Sequence, residues 1–407
     1  MQILIAGGGV GGLILGLMLK QRGIACTVLE AVSEVRELGV GINLLPVAVR
    51  ELSEQGLLPA LDAVGIRTRE LRYANHLGQT IWAEPRGTYA GLDVPQFSIH
   101  RGHFHGLLWR AAQERLGSAL RHSARVTGYS QEGKHVTAHL ADGSSLSGDA
   151  LIGADGIHSS LRSAMHPDDG GVRWQGTQMW RGAVDWPQLW DGATMCICGN
   201  THAKLVLYPI GPGLRPYTRL LNWVVYTRLA DAGPTPPGRQ DWSREADRAD
   251  ILPHVADFSL PFIDPAALIQ ASPMASVYPM CDRDPLPWWT QDRVTLLGDA
   301  AHPMYPVGSN GASQAILDAR YLADLLTHLP VPDALSAYDA ERRPKTSAIV
   351  AANRQGGPER IIDFVGQRAP PGFSDIAQVA THAELSAILA GHSQVAQVLG
   401  PSGQRKS

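Results

Sequence analysis

Cysteine is scarce in this chain of 407 residues. Cys26, Cys196, Cys198 and Cys281 are the whole supply, too few and too scattered for a disulfide framework, which fits a reducing compartment. Cys196-x-Cys198 has no second pair to complete a zinc site and is read as two strand residues on opposite faces. The 15 histidines form no H-E-x-x-H pattern, so no metal is assigned. Charge of one sign is also lacking: 35 Lys and Arg against 38 Asp and Glu leave −3, with no basic run. Neither nucleic acid nor an anionic membrane is therefore expected as a partner. Long hydrophobic runs are missing as well. The apolar stretch Ile3–Leu19 carries five glycines within six positions, has no basic flank and is too short to span a bilayer comfortably. A cytoplasmic protein is expected. There is no internal repeat and no low-complexity segment.

Glycine, by contrast, is concentrated where it carries chemistry. GGGVGG (Gly7–Gly12) follows the strand-type run MQILIA and opens the helix-type run LILGLMLKQRG. In Gly7-x-Gly9-x-x-Gly12 the first glycine permits a tight strand-to-helix turn. The second lets backbone approach a pyrophosphate, and the third allows close helix–strand packing. The helix N-terminus then offers free N–H groups and a positive dipole end. A second strand, IACTVLE, ends in Glu30, placed to bind an adenosine ribose. Two further segments, GADGIHSSLR (Gly153–Arg162) and LGDAAHPMYPVGSNGA (Leu297–Ala312), stand far along the chain. The three in this order predict one FAD held at its adenosine end, its middle and its flavin end.

The remaining pattern predicts an α/β fold: a Rossmann-like FAD-binding domain (parallel sheet with helices, small antiparallel insert), a β-sheet substrate domain and a C-terminal helical tail. Residues 1–173 and 277–345 are assigned to the FAD domain, 174–276 to the sheet domain and 346–407 to the tail. Helices are expected near Leu45–Gln55 and over His100–Gly117, where Phe104, Leu107, Leu108 and Ala111 share one face. SARVTGYS and HVTAHL, with a turn at Asp142-Gly143, read as the antiparallel insert. From Trp174 aromatics concentrate and strand-type runs dominate (TMCICG, AKLVLYPI, LLNWVVYT). DAGPTPPGRQ (Asp231–Gln240) reads as an exposed loop.

The three glycine segments resemble those of the class A flavoprotein aromatic hydroxylases, the family of salicylate and hydroxybenzoate hydroxylases. The similarity spans nearly the whole chain. LGVGIN (Leu38–Asn43), ELRYANHLGQTIWAEPRG (Glu70–Gly87), MWRG (Met179–Gly182), YPMCDRDPLPWW (Tyr278–Trp289) and MYPVGSNGASQAILDA (Met304–Ala319) are similar to the family's phenazine-modifying branch. The loop Gly308-Ser309-Asn310-Gly311 departs from the GQG common in the wider family and matches that branch.

The resemblance implies roles position by position. Gly7, Gly9, Gly11 and Gly12 would hold the pyrophosphate, Glu30 and Ala31 the adenosine ribose, and Val126 the adenine. Gly41, Arg101, Asp155 and Asp299 would hold the FAD middle and ribityl chain; ordinary turn or capping roles stay open for the two aspartates. Gly308, Asn310, Gly311 and Ala312 would border the flavin, with the following helix aimed at its N1–C2=O edge, where reduced flavin carries negative charge. His302 and Pro303 would lie beside the reacting ring. His302 is either a proton donor or a packing residue. Met179, Arg181, Tyr208 and Trp223, with Arg72 as a weaker candidate, would contact the substrate. Trp180 and Tyr73 belong to the same group. An aromatic stripe on a strand serves core packing equally well.

The activity so implied is hydroxylation of a planar aromatic or heteroaromatic, phenazine-like substrate. NADH or NADPH and O2 are consumed, and oxygen is activated at the flavin C4a carbon. Alternatives are a salicylate-type decarboxylating hydroxylase, a non-oxygenating flavin oxidoreductase or a flavin-binding sensor. The oligomeric state is left open.

Overall fold

The computed structural model describes residues 1–34, 40–233, 236 and 244–397, with backbone only for 391–397. Leu38 and Gly39 of LGVGIN and most of the Asp231–Gln240 loop lie outside the described residues. Among the described residues no helix is long and apolar enough to cross a membrane.

The apolar run at the N-terminus forms the strand Gln2–Ala6 at the centre of a six-stranded sheet. Ala25–Leu29 and Ala150–Gly153 pair with it in parallel on either side, and Val294–Leu296 extends the parallel set. Ile3, Leu4 and Ile5 are buried on both faces, as a parallel sheet covered by helices requires. Val10–Gln21, Arg101–Leu116 and Gly311–Leu325 are among those covering helices. Phe104, Leu107, Leu108 and Ala111 are buried on the second of these, matching the sequence period. Val126–Glu132, His135–Leu140 and Ser145–Gly148 make the three-stranded antiparallel insert.

A second, seven-stranded sheet runs in the order Ala275–Arg283, Val172–Pro187, Thr218–Arg228, Ala203–Pro212, Thr194–Gly199, Glu70–Asn75, Thr80–Pro85. Glu70–Asn75 and Thr80–Pro85 come from inside the stretch 1–173 assigned to the FAD domain, and most of Ala275–Arg283 from the stretch 277–345. Their register explains why: Glu70–Asn75 pairs in parallel with Thr194–Gly199, a long-range partnership that no local pattern reveals.

Strand alternation sorts this sheet into two faces. One carries Met179, Arg181, Val206, Tyr208, Asn222, Val224, Tyr226 and Tyr278, set opposite one another by the register. The other carries Trp180, Trp223, Leu205, Leu207, Cys196 and Cys198, packed on Ile251, Phe258, Leu268 and Ile269. Cys196 and Cys198 thus share a face, as residues i and i+2 of a strand must. This corrects the expectation that they point oppositely.

Among the described residues beyond Leu325 the chain is mostly helical. Val331–Arg354 is one helix that includes Pro344, so it crosses the boundary assigned at residue 346. Arg360–Arg368 and His382–Gln397 follow. Ile361, Ile362, Val365, Leu385 and Leu389 pack on Tyr73, Met195, Ile197, Val206 and Tyr208. The tail therefore covers part of the first face of the large sheet.

Candidate active site

The glycine turn is built by close contacts. Gly7 takes left-handed backbone (φ +107°), and a Cβ there would lie 2.4 Å from the Ala154 carbonyl oxygen. A Cβ on Gly12 would lie 2.0 Å from the Gly7 oxygen, so only glycine lets the helix start so near the strand. Gly9 is different: nothing stands within 4 Å of its notional Cβ. It is the N-cap of Val10–Gln21, with no side-chain cap and no acid in the first turn. The helix N–H groups there are left for an outside acceptor. Gly11 faces Leu297, 2.6 Å from its notional Cβ. Its missing side chain thus serves packing, while its N–H belongs to the open first turn.

Ala6, Gly7, Gly9, Glu30, Ala31, Val126, Asp155 and their neighbours enclose one cavity of about 290 Å³. The Glu30 carboxylate accepts from the Gly8 N–H at 2.6 Å and the Val32 N–H at 2.9 Å, which fixes it at the strand end. The Gly8 carbonyl meets His105 Nε2 at 2.7 Å. Asp155 lies on the cavity wall while its carboxylate accepts from the Ser159 hydroxyl and, at 2.8 Å, from the Ser160 N–H. Its turn-capping role is therefore real. Burial raises its carboxyl, and these hydrogen bonds pull it back. Arg125, His158 and Ser160 also line the cavity. The sequence reading missed them, although Arg125 adjoins Val126 and was the cation to look for.

The family resemblance assigns the rest of the cofactor to a cleft bordered by Arg101 and the third glycine segment. Arg101 and Asp299 are both solvent-accessible yet closely surrounded. Desolvation lowers the Arg101 guanidinium and raises the Asp299 carboxyl, and each field opposes that shift on the other. Gly308 and Ser309 take consecutive left-handed conformations (φ +65° and +60°). For serine this costs on the order of 1 kcal/mol. Asn310 precedes Gly311–Leu325 as its N-cap and is 1% exposed, and among the described residues neither its amide oxygen nor its amide nitrogen has a partner. Buried amides are almost always bonded, so this one fits a ligand with a donor and an acceptor edge. Gly311 and Ala312 form the first turn, half-buried and without acidic residues.

Gly41 does not join this cleft as a donor. Its N–H donates to Asn222 Oδ1 at 2.8 Å, and a Cβ would lie 2.5 Å from the Tyr208 ring. Its role is to let the sheet approach. His302 is buried, and its Nε2 meets Asp318 Oδ2 at 2.5 Å. Asp318 also accepts from Arg342 Nε at 2.7 Å. Desolvation pushes the Asp318 carboxyl up, but His302 and Arg342 outweigh it and leave it below the ordinary range. His302 Nδ1 has no partner. Pro303 is buried beside it, and Pro306 is exposed.

Arg181, Met179 and Tyr208 lie on the sheet face turned to the cofactor domain. Arg181 is 7% exposed. Desolvation lowers its guanidinium to about 10, with opposing effects from Tyr208 and Tyr278 and a reinforcing one from Arg101. Burial pushes the Tyr208 phenol up to about 12. Trp223 and Arg72 are corrections. Trp223 is fully buried on the opposite face, its Nε1–H donating to Ser272 Oγ at 2.7 Å and Gly182 lying on its ring. Arg72 shares that opposite face, stacked 5.0 Å from the Trp190 ring centroid and paired with Glu70 at 2.7 Å. Trp180 stacks there on His254. Tyr73 lies on the cofactor-side face, beneath the tail. The expectation failed because aromatic composition does not say which face of a strand a residue takes.

A glycine-turn nucleotide cavity, a helix start with an unsatisfied amide and a sheet face bearing a buried cation define a two-domain flavoprotein. The FAD-binding domain family matches residues 1–353, and the chain belongs to that family and to its class A aromatic hydroxylases. It is 43% identical over 364 residues to the phenazine 1,6-dicarboxylic acid hydroxylase PhzS of Lysobacter antibioticus, covering 87% of this chain and 89% of the relative. It is 33% identical to 3-hydroxybenzoate 6-hydroxylase 1 of Aquipseudomonas alcaligenes, covering 87% and 88%. Among solved structures, HpxO of Klebsiella pneumoniae complexed with FAD and uric acid superposes with a TM-score of 0.76 at 25% identity, covering 99% and 98% of the two chains.

Proposed function

We propose that this FAD-dependent aromatic monooxygenase hydroxylates a planar heteroaromatic carboxylate of the phenazine class, with NADH or NADPH as reductant and O2 as oxygen source. The observation that carries the substrate class is Arg181. It is a buried guanidinium, still cationic at neutral pH, on the sheet face above the cleft, where a planar fork matches a carboxylate. The similarity to a phenazine dicarboxylic acid hydroxylase supports the same reading.

In this reading Gly9 and the helix N–H groups would hold the pyrophosphate of FAD, Glu30 and Ala31 its ribose, and Val126 its adenine. Arg101, Asp155 and Asp299 hold the middle, and Gly308–Ala312 border the flavin, with the Asn310 amide finding its partners there. Bound FAD supplies the redox chemistry between NAD(P)H, dioxygen and the aromatic ring. The chain supplies the rest. The first turn of Gly311–Leu325 presents N–H groups to developing negative charge. Buried Pro303 and the sheet face keep water from the reacting ring. His302, held by Asp318 and Arg342, is a positioning residue that fixes the Gly298–Pro303 turn. The FAD unit comprises the parallel sheet and its helices, and the seven-stranded sheet, including Glu70–Pro85, forms the substrate unit.

The test is NADH and NADPH oxidation by the purified yellow protein with phenazine carboxylates, uncarboxylated phenazines and hydroxybenzoates. Phenazine carboxylates should stimulate most, and Arg181→Met should raise their KM at least tenfold while leaving uncarboxylated rings unaffected. Equal response to carboxylated and uncarboxylated rings would overturn the assignment.

A further inference from the structure

Glu359 belongs to none of the sequence motifs. It follows the long helix Val331–Arg354 and precedes Arg360–Arg368. Gly356 and Gly357 take left-handed backbone (φ +95° and +42°) and turn the chain back across the cofactor-side face of the sheet. A Cβ on Gly357 would lie 2.0 Å from Val307 Cγ1 and 2.5 Å from Glu359 Oε2. The carboxylate therefore stands against the loop that borders the flavin position. Val307 in turn clusters with Met280, Tyr305 and Tyr226 of the sheet face.

That corner is incompletely covered. Val224 and Tyr226 lie on a central strand, where side chains are ordinarily covered, yet both keep solvent access, as do Gly308, Ser309 and Glu359. The groups facing Glu359 are Lys204, Asp363, Tyr73 and Tyr226. Lys204 is engaged elsewhere, its ammonium donating to Asp363 at 2.7 Å and to the Asn200 carbonyl at 2.5 Å. Both phenols are held neutral by burial, with the field of Glu359 adding to it. Among the described residues no other side chain donates a hydrogen bond to Glu359, and its carboxylate does not cap the helix it precedes. A half-buried carboxylate that no protein side chain bonds keeps its acceptor oxygens open to water or to a ligand donor. Burial raises its carboxyl to about 7, with its own backbone N–H and Lys204 lowering it and Asp363 raising it.

We infer that Glu359 is a substrate-binding residue that selects aromatic carboxylates carrying a second hydrogen-bond donor, a ring hydroxyl or ring N–H, at the edge away from Arg181. The inference rests on the proposed function, in which Arg181 holds the carboxylate. Two fixed points of opposite charge then set the in-plane orientation of a flat ring, which neither does alone. The ionised carboxylate makes the stronger, charge-assisted bond, so donor-bearing ligands bind better as pH rises through about 7.

The test measures ligand affinity on the FAD-loaded enzyme, without NAD(P)H, from the perturbation of flavin absorbance. Matched phenazine carboxylates with a ring hydroxyl and with its methyl ether are compared from about pH 5.5 to about pH 8.5, a span bracketing the shifted carboxyl. The wild-type enzyme should prefer the hydroxyl compound by about tenfold at the alkaline end and lose that preference in acid. Glu359→Gln should bind both equally at every pH, and Glu359→Asp should restore part of the preference with its pH dependence. Equal binding of both compounds by the wild type, or a preference that survives unchanged in Glu359→Gln, overturns the inference alone. If neither compound binds the wild type at all, the proposed substrate class falls and takes this inference with it.

Discussion

Gly9 and Gly12 belong to one motif, but alanine at each should fail differently. At Gly12 the new methyl would sit 2.0 Å from the Gly7 carbonyl oxygen, where ordinary C···O contacts begin near about 3.3 Å. Helix and strand must separate by about 1 Å, and the backbone has little room to give. A cost of about 3–5 kcal/mol follows, so Gly12→Ala should lower the Tm of the apoprotein itself. At Gly9 the backbone is extended (φ −76°, ψ −174°) and the methyl meets nothing within 4 Å. Only the loss of a small N-cap residue remains, about 0.5 kcal/mol. The same methyl occupies the path assigned to the pyrophosphate. FAD affinity should fall by about 100-fold, or about 2.7 kcal/mol. Scanning calorimetry of apoprotein and FAD titration by fluorescence quenching read the two effects separately. Gly9→Ala protein that binds FAD within about threefold of wild type would refute the pyrophosphate placement.

Two other substitutions test the reading of individual residues. Trp223→Phe removes the Nε1–H bond to Ser272 and part of a fully buried ring; it should lower stability by about 2 kcal/mol and leave KM unchanged, whereas a large KM effect with normal Tm would return Trp223 to the substrate pocket. Asp318 is held below its ordinary carboxyl range by His302 and Arg342 against desolvation. A depressed carboxyl stabilises above its unfolded pKa and loses that contribution as pH falls toward its folded one. Asp318→Asn should therefore cost about 3–5 kcal/mol at neutral pH, because it leaves the buried Arg342 guanidinium without its carboxylate. Its Tm gap to wild type should narrow below about pH 4, and a constant gap would contradict the assignment.

Legibility of the sequence followed the range of the contacts. The nucleotide turn was readable because its glycines, strand and helix are local: Gly7, Gly9, Glu30, Ala31, Val126 and Asp155 line a single cavity. Gly11 and Gly41 show what sequence leaves out, because a glycine that admits a ligand and one that admits a neighbouring side chain look alike there. Only Leu297 and Tyr208 tell them apart. The placement of Glu70–Pro85 depended on a parallel pairing more than a hundred residues away. Trp223 and Arg72 were lost to strand phase, which a one-residue shift inverts. Glu359 gave no signal, since a carboxylate after a helix is ordinary until the Gly356–Gly357 turn brings it beside Val307.

The central claim is that this chain inserts oxygen into a phenazine-type carboxylate. It is tested most directly by turnover under isotopically labelled dioxygen, with the product analysed by mass spectrometry. The account predicts a product one labelled oxygen atom heavier than the substrate, formed in proportion to the NAD(P)H consumed. NAD(P)H oxidation that releases only labelled hydrogen peroxide with every phenazine carboxylate offered, or a product whose added oxygen is unlabelled and so comes from water, would contradict it.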